Sequence, residues 1–169
     1  MFATLIRSLR LLNWLNWIMA VVLLLFLGVL AFDVGGLQGA VFTGFPAGSP
    51  GASAIRLYLF GLLVAMMPVA LAVHLILTRL GALVSATAAG DAFTQANAAR
   101  LQTIGWALLA INVADLVFGW LSVNASAATG EYFGWSFSLT GWIAVPMLFV
   151  LAHVFRQGAA MREDLEGTV

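Results

Sequence analysis

Four apolar runs of about 20 residues each occupy most of a 169-residue chain. That is the length an α-helix needs to cross the roughly 30 Å hydrocarbon core of a bilayer. Little sequence is left between the runs, so no separate soluble domain fits. Charged residues make up only 8% of the chain, against about a quarter in a soluble domain. A globule so poor in charge has too few polar groups to cover its surface, so hydrocarbon must be its main solvent. The expected fold is all-α: an integral membrane four-helix bundle forming a single transmembrane domain over residues 1–169.

The expected spans are residues 13–32, 56–79, 103–123 and 137–155. Arg7 and Arg10 precede the first. A positive flank before an apolar run also describes a signal peptide, but this run is long for a signal core and no A-x-A pattern follows it. An uncleaved anchor is therefore expected. Residues 33–54 and 124–136 read as loops on one side. The first is punctuated by glycines, Pro46 and Pro50, and its Phe42 and Phe45 suit the interface. On the other side lie the connection 80–102 and the tail 156–169. Within that connection a helical continuation to Ala89 ends at Gly90, and Thr94 N-caps a helix entering the third span. Pro68 and Pro146 fall inside the even spans and are expected to bend them.

Arginines set the orientation. Arg7, Arg10, Arg79, Arg100, Arg156 and Arg162 share one side of this layout, and only Arg56 lies on the other. In short loops an arginine excess marks the cytoplasm. Both termini are therefore expected on the cytoplasmic side of the membrane. With no cysteine in the chain, disulfides, thiolate metal sites and cysteine nucleophiles are excluded. The net charge of +0 gives no reason to expect direct nucleic-acid binding.

The two hairpins resemble each other. Arg10-Leu11 and Arg100-Leu101 lead into the odd spans. The even spans carry Pro68, His74, Arg79, Gly81 and Pro146, His153, Arg156, Gly158 in matching order. A parallel repeat about an axis along the membrane normal would produce this pattern, and so would coincidence in a biased composition.

Few residues invite chemistry. Asp115 lies inside the third span with Asn112 three residues earlier on the same face. A carboxylate there costs about 3 kcal/mol on insertion scales. It reads either as a proton or ion site or as a clamp between helices, and the lack of a second intramembrane carboxylate favours the clamp. His74 and His153 fall at similar depth, about 10 Å from the midplane at 1.5 Å per residue. Two such rings are compatible with b-type haem ligation, or simply with bonds to carbonyls and headgroups. No cofactor and no metal is expected otherwise. No nucleophile elbow, P-loop or H-E-x-x-H pattern occurs, so no enzymatic activity is expected.

Two polar segments carry a resemblance. Gly90-Asp91-Ala92-Phe93-Thr94-Gln95-Ala96-Asn97 continues to Arg100-Leu101-Gln102-Thr103-Ile104-Gly105-Trp106. It is similar to the G-D-P-F-T-x-E-N…R-L-R-x-I-G-W segment of a bacterial inner-membrane family, domain of unknown function 2975. The ending from Val154-Phe155-Arg156 through Arg162-Glu163-Asp164 to Val169 also resembles that family's close. Ala92, Ala96 and Gly167 stand where the family usually has proline, an acidic residue and leucine. The resemblance implies four spans, no established enzymatic activity and a gene neighbourhood containing a small helix-turn-helix regulator.

The expected function is therefore a non-catalytic interaction protein holding or regulating a cytoplasmic partner. Phe93, Thr94, Asn97, Arg100, Arg156, Arg162, Glu163 and Asp164 are the docking candidates. The same residues also suit a structural role, with Arg100 pairing Glu163 or Asp164 and Thr94 capping its helix. An accessory subunit of a larger respiratory or photosynthetic membrane complex, and a haem- or quinone-linked redox carrier, are the alternative functions. Homo-oligomerisation is compatible with each.

Overall fold

A computed structural model describes residues 2–37 and 48–166, with the side chain of residue 166 left undescribed. Four long helices account for most of them: α1, Phe2–Ala31; α2, Pro50–Ala88; α3, Gln95–Thr129; and α4, Leu139–Glu166. A short 3-10 turn, Val34–Gly36, follows α1, and the described residues contain no strand. All four helices are long and apolar enough to cross a membrane. Much of their apolar surface points outward. Trp14, Leu25, Val64, Met147 and Val150 are each more than 60% exposed. Only hydrocarbon makes such a surface stable, and the helices satisfy their own backbone there. The fold is that of a multi-pass membrane protein.

The helices run beyond the expected spans because capping signals, not the ends of apolar runs, set their limits. α2 begins at Pro50 rather than at residue 56. Ser49 Oγ accepts from the Ala52 N–H at 3.2 Å, and Pro50 takes the first helical position, where its missing N–H costs nothing. At 39 residues α2 is about 58 Å long, well beyond the hydrocarbon thickness. Both α2 and α4 stay continuous through Pro68 and Pro146. Hydroxyls inside the helices bond back to carbonyls one turn earlier, as Thr78 does to His74 and Ser85 to Gly81. Such back-bonding satisfies the hydroxyls within the helix itself.

The α2–α3 connection is short. Gly90 sits at φ 89°, the left-handed conformation a glycine adopts without penalty. Asp91 N bonds Ala86 O at 3.0 Å and Gly90 N bonds Thr87 O at 3.1 Å, the double closure of a Schellman motif. Residue 94 then caps α3, with Asn97 N donating to Thr94 Oγ1 at 3.2 Å. The reading of Gly90 as a stop and Thr94 as a cap is borne out. α3 runs to Thr129, past the expected boundary at 123, and Gly130 at φ 76° ends it.

Contacts divide the chain into two units. The first holds described residues 2–16, 71–112 and 138–166. In it, Trp106 and Phe149 meet edge-on at 5.2 Å, and the Phe149 ring lies 3.3 Å from where a Cβ on Gly105 would stand. The second holds described residues 17–37, 48–70 and 113–137. Its core is Leu27, Leu30 and Ala31 of α1 against Ile55 and Leu59 of α2. Tyr58 joins Phe133 at 5.0 Å and Phe118 at 5.8 Å. Phe42 and Phe45, and the tail residues Gly167, Thr168 and Val169, lie outside the described residues.

Candidate interaction surface at the α2–α3 connection

The polar motif around the α2–α3 connection folds into one hydrogen-bonded knot. Asn97, on the first turn of α3, is fully buried. Its Nδ2 donates to Asp91 O at 2.9 Å and to Ala92 O at 2.8 Å. Two carbonyls of a chain that has just left a helix are thereby satisfied without water. Arg100, one turn on, donates from Nη1 to Asn97 Oδ1 at 2.6 Å and to Ala82 O at 3.4 Å. The expected pairing of Arg100 with Glu163 or Asp164 is therefore incorrect. The guanidinium is spent on the amide one turn behind it and on the α2 backbone, where it fixes the exit from α2.

Phe93 brings α4 to the knot. Its ring centroid lies 5.0 Å from that of Phe155, and its Cδ1 is 2.8 Å from where a Cβ on Gly158 would stand. Glycine at 158 is what lets the ring seat on α4. The charged groups of α4 divide among different partners. Arg162 Nη1 pairs with Asp91 Oδ1 at 3.2 Å, both side chains about half exposed. Arg156 Nη2 donates to Gln102 Oε1 at 3.2 Å. Between the connection and α4 lies a cleft of about 330 Å³ lined by Asp91, Phe93, Thr94, Gln95, Arg162 and Glu163. Phe93 remains 47% exposed, so an apolar ring stands beside charges of both signs. Glu163 is exposed as well. Of the eight docking candidates, Phe93, Thr94, Arg162 and Glu163 meet at this cleft, while Asn97 and Arg100 tie down the connection that lines it. Arg156 and Asp164 are not among its lining residues.

The polar residues inside α3 contact side chains and backbone around them. Asp115 Oδ1 accepts from Trp135 Nε1 at 3.4 Å, a long and weak bond. The same indole lies against Gly119, in the space a Cβ there would occupy. Trp135 is thus held to α3 at two points one turn apart. Ser126 adds a third latch that the sequence did not reveal, accepting from Phe133 N at 2.9 Å and donating to Ser122 O at 2.8 Å. Asn112 packs directly on Gly141 of α4, its Oδ1 occupying the place a Cβ on that glycine would take. Its Nδ2 is buried with no hydrogen-bond partner among the described residues.

The two histidines make separate contacts. His74 Nδ1 meets Asn13 Oδ1 of α1 at 2.8 Å. His153 Nε2 meets Gln157 Nε2, one turn along its own helix, at 3.1 Å. The matching histidines of the two hairpins thus make an interhelical contact in one case and a local one in the other. No group of three or more metal-ligating side chains is found among the described residues.

No significant match is found among curated proteins or among solved structures. Residues 41–169, more than two thirds of the chain, match the family described as Protein of unknown function (DUF2975). That stretch contains the entire α2–α3 knot and its α4 partners, and the chain is a member of the DUF2975 family.

Proposed function

We propose that the protein is a non-catalytic membrane-embedded interaction protein that holds a helix-turn-helix regulator of transcription at the cleft between the α2–α3 connection and α4. The observation that carries this reading is the cleft's make-up: an exposed Phe93 ringed by Asp91, Arg162 and Glu163. An aromatic anchor inside a charged rim is how protein interfaces combine affinity with selectivity. Beyond it, Met161 and Leu165 extend exposed apolar surface along the last turns of α4. The regulator as occupant is supported by the gene neighbourhood that the family resemblance implies. A cytoplasmic location is supported by the arginine count, six on this side against Arg56 on the other.

The fixed connection that lines the cleft favours this use. Asn97 and Arg100 tie the connection down before any partner arrives, so docking costs little ordering entropy. The test is co-purification of the tagged protein from native membranes. A helix-turn-helix protein is expected in the eluate, reduced tenfold or more by a combined Arg162→Ala, Glu163→Ala change. Undiminished recovery from the doubly changed protein refutes the assigned face. Absence of any such regulator from the wild-type eluate refutes the partner.

A further inference from the structure

A second polar cleft lies elsewhere in the first unit, between the start of α1 and the last third of α2. It has a volume of about 280 Å³ and is lined by Leu9, Arg10, Asn13, Thr78, Gly81 and Ser85, among others. No carboxylate lines it. Leu9 of α1 rests against Gly81 of α2 here, its Cδ1 3.9 Å from where a Cβ on that glycine would stand. Water has a share of about 30 Å³ in the liquid, so a tetrahedral phosphate fits with several waters.

The donors left over inside the cleft are specific. Thr78 and Ser85 direct their hydroxyl protons to the carbonyls of His74 and Gly81, which leaves their oxygens only as acceptors. Arg10 is exposed, and it makes no hydrogen bond or ion pair among the described residues. Its five N–H donors are all unspent. Asn13 adds one more donor. Its Oδ1 is taken by His74 Nδ1, so the ring nitrogen carries the proton and the amide's NH₂ end stays available. A guanidinium and an amide NH₂ one turn apart on α1 form a donor pair matched to the oxygens of a phosphate ester.

Trp14 decides between sources of that phosphate. It is 70% exposed and follows Arg10 by four residues, one turn further along the apolar run. Exposed tryptophans at the end of a span rest at headgroup level. Arg7, one turn before Arg10, is exposed too and adds a second positive charge. Basic clefts between membrane helices at this depth recognise the headgroups of anionic lipids.

We infer that the cleft between α1 and α2 binds the phosphate of an anionic phospholipid headgroup, held by Arg10 and the Asn13 amide and kept in orientation by His74.

The experiment uses the full-length protein in a neutral maltoside detergent. Short-chain phosphatidylglycerol, short-chain phosphatidylcholine and inorganic phosphate are titrated separately, with binding read by native mass spectrometry and by the shift in Tm. Phosphatidylglycerol is expected to bind and to raise Tm, with phosphatidylcholine and inorganic phosphate at least tenfold weaker. Arg10→Gln is expected to weaken phosphatidylglycerol binding about tenfold, and Asn13→Ala severalfold. Arg56→Gln, an exposed arginine of the second unit, should leave it unchanged. The Tm of each variant without lipid controls for folding, and Arg10 packs too little to change it. Equal binding by wild type and Arg10→Gln, or equal losses from Arg10→Gln and Arg56→Gln, overturns the site. Inorganic phosphate binding as tightly as phosphatidylglycerol overturns the lipid assignment.

Discussion

Arg100 and Asn97 form a pair in which each residue completes the other: the guanidinium donates at 2.6 Å to the amide oxygen, and the amide nitrogen closes two carbonyls of the preceding connection. The asparagine is fully buried. Removing its side chain strands Asp91 O and Ala92 O and releases Arg100 from its main anchor. Asn97→Ala is therefore expected to destabilise by about 1–3 kcal/mol, the cost of leaving buried partners unmade. Thr94→Ala, which loses only the N-cap, should cost about 1 kcal/mol. Unfolding titrations in mixed micelles check both values and their order. A smaller loss at Asn97 than at Thr94 contradicts the knot.

Gly158 is predicted to tolerate a methyl group only when Phe93 gives way. An added Cβ would stand 2.8 Å from Phe93 Cδ1 and 3.2 Å from its Cγ, atoms near the root of the side chain that cannot swing clear without moving the connection. Gly158→Ala should cost about 1–3 kcal/mol through this overpacking. In a Phe93→Ala background the same change should be close to neutral. A double-mutant cycle measures the coupling. Additive losses would mean that the ring does not rest on this glycine.

Gly90, Thr94 and the four spans were legible because each rests on local physics: a left-handed closure, a cap, a hydrophobic run long enough for a bilayer. The helix lengths were less legible. An apolar run marks where hydrocarbon is, whereas Ser49-Pro50 and Gly130 mark where helices begin and end, and these need not coincide. The pairings of Arg100 and Arg162 were not legible at all. Sequence lists charges within reach of one another but not which carbonyl or amide competes for them. Asn97 wins Arg100 because it lies one turn away on the same helix, and Asp91 receives Arg162 because Phe93 seats the connection on α4. That seating depends on Gly158, whose role no spacing rule announces.

Asn112 and Gly141 make the equivalent contact between α3 and α4 further along the unit. The amide oxygen lies where a Cβ on Gly141 would stand, and the amide nitrogen is buried with no hydrogen-bond partner among the described residues. The amide thus serves chiefly to fill space. Asn112→Ala should cost less than a typical buried asparagine, within about 1 kcal/mol, because it also removes an unsatisfied donor. Gly141→Ala should cost about 1–3 kcal/mol alone and much less when combined with Asn112→Ala. Thermal unfolding of the four proteins in one detergent checks the ordering. If Asn112→Ala proves the more damaging single change, the amide has a bound partner that its protein contacts do not supply.

Arg162 offers the cleanest separation of stability from binding. Its bridge to Asp91 spans 3.2 Å between side chains that are 46% and 55% exposed. Solvent screens such a pair, and exposed bridges typically contribute no more than about 1 kcal/mol. Phe93 on Phe155 and the Asn97 knot hold the connection to its neighbours without it. Arg162→Ala is therefore expected to leave the unfolding midpoint nearly unchanged, while changing the charge pattern of the cleft from mixed to acidic. A partner steered to that cleft by charge should then associate more slowly, with the gap to wild type shrinking as salt rises. Association rates measured at low and high ionic strength test this. A large fall in midpoint would show instead that the bridge is structural, and would disqualify the variant as a probe of docking.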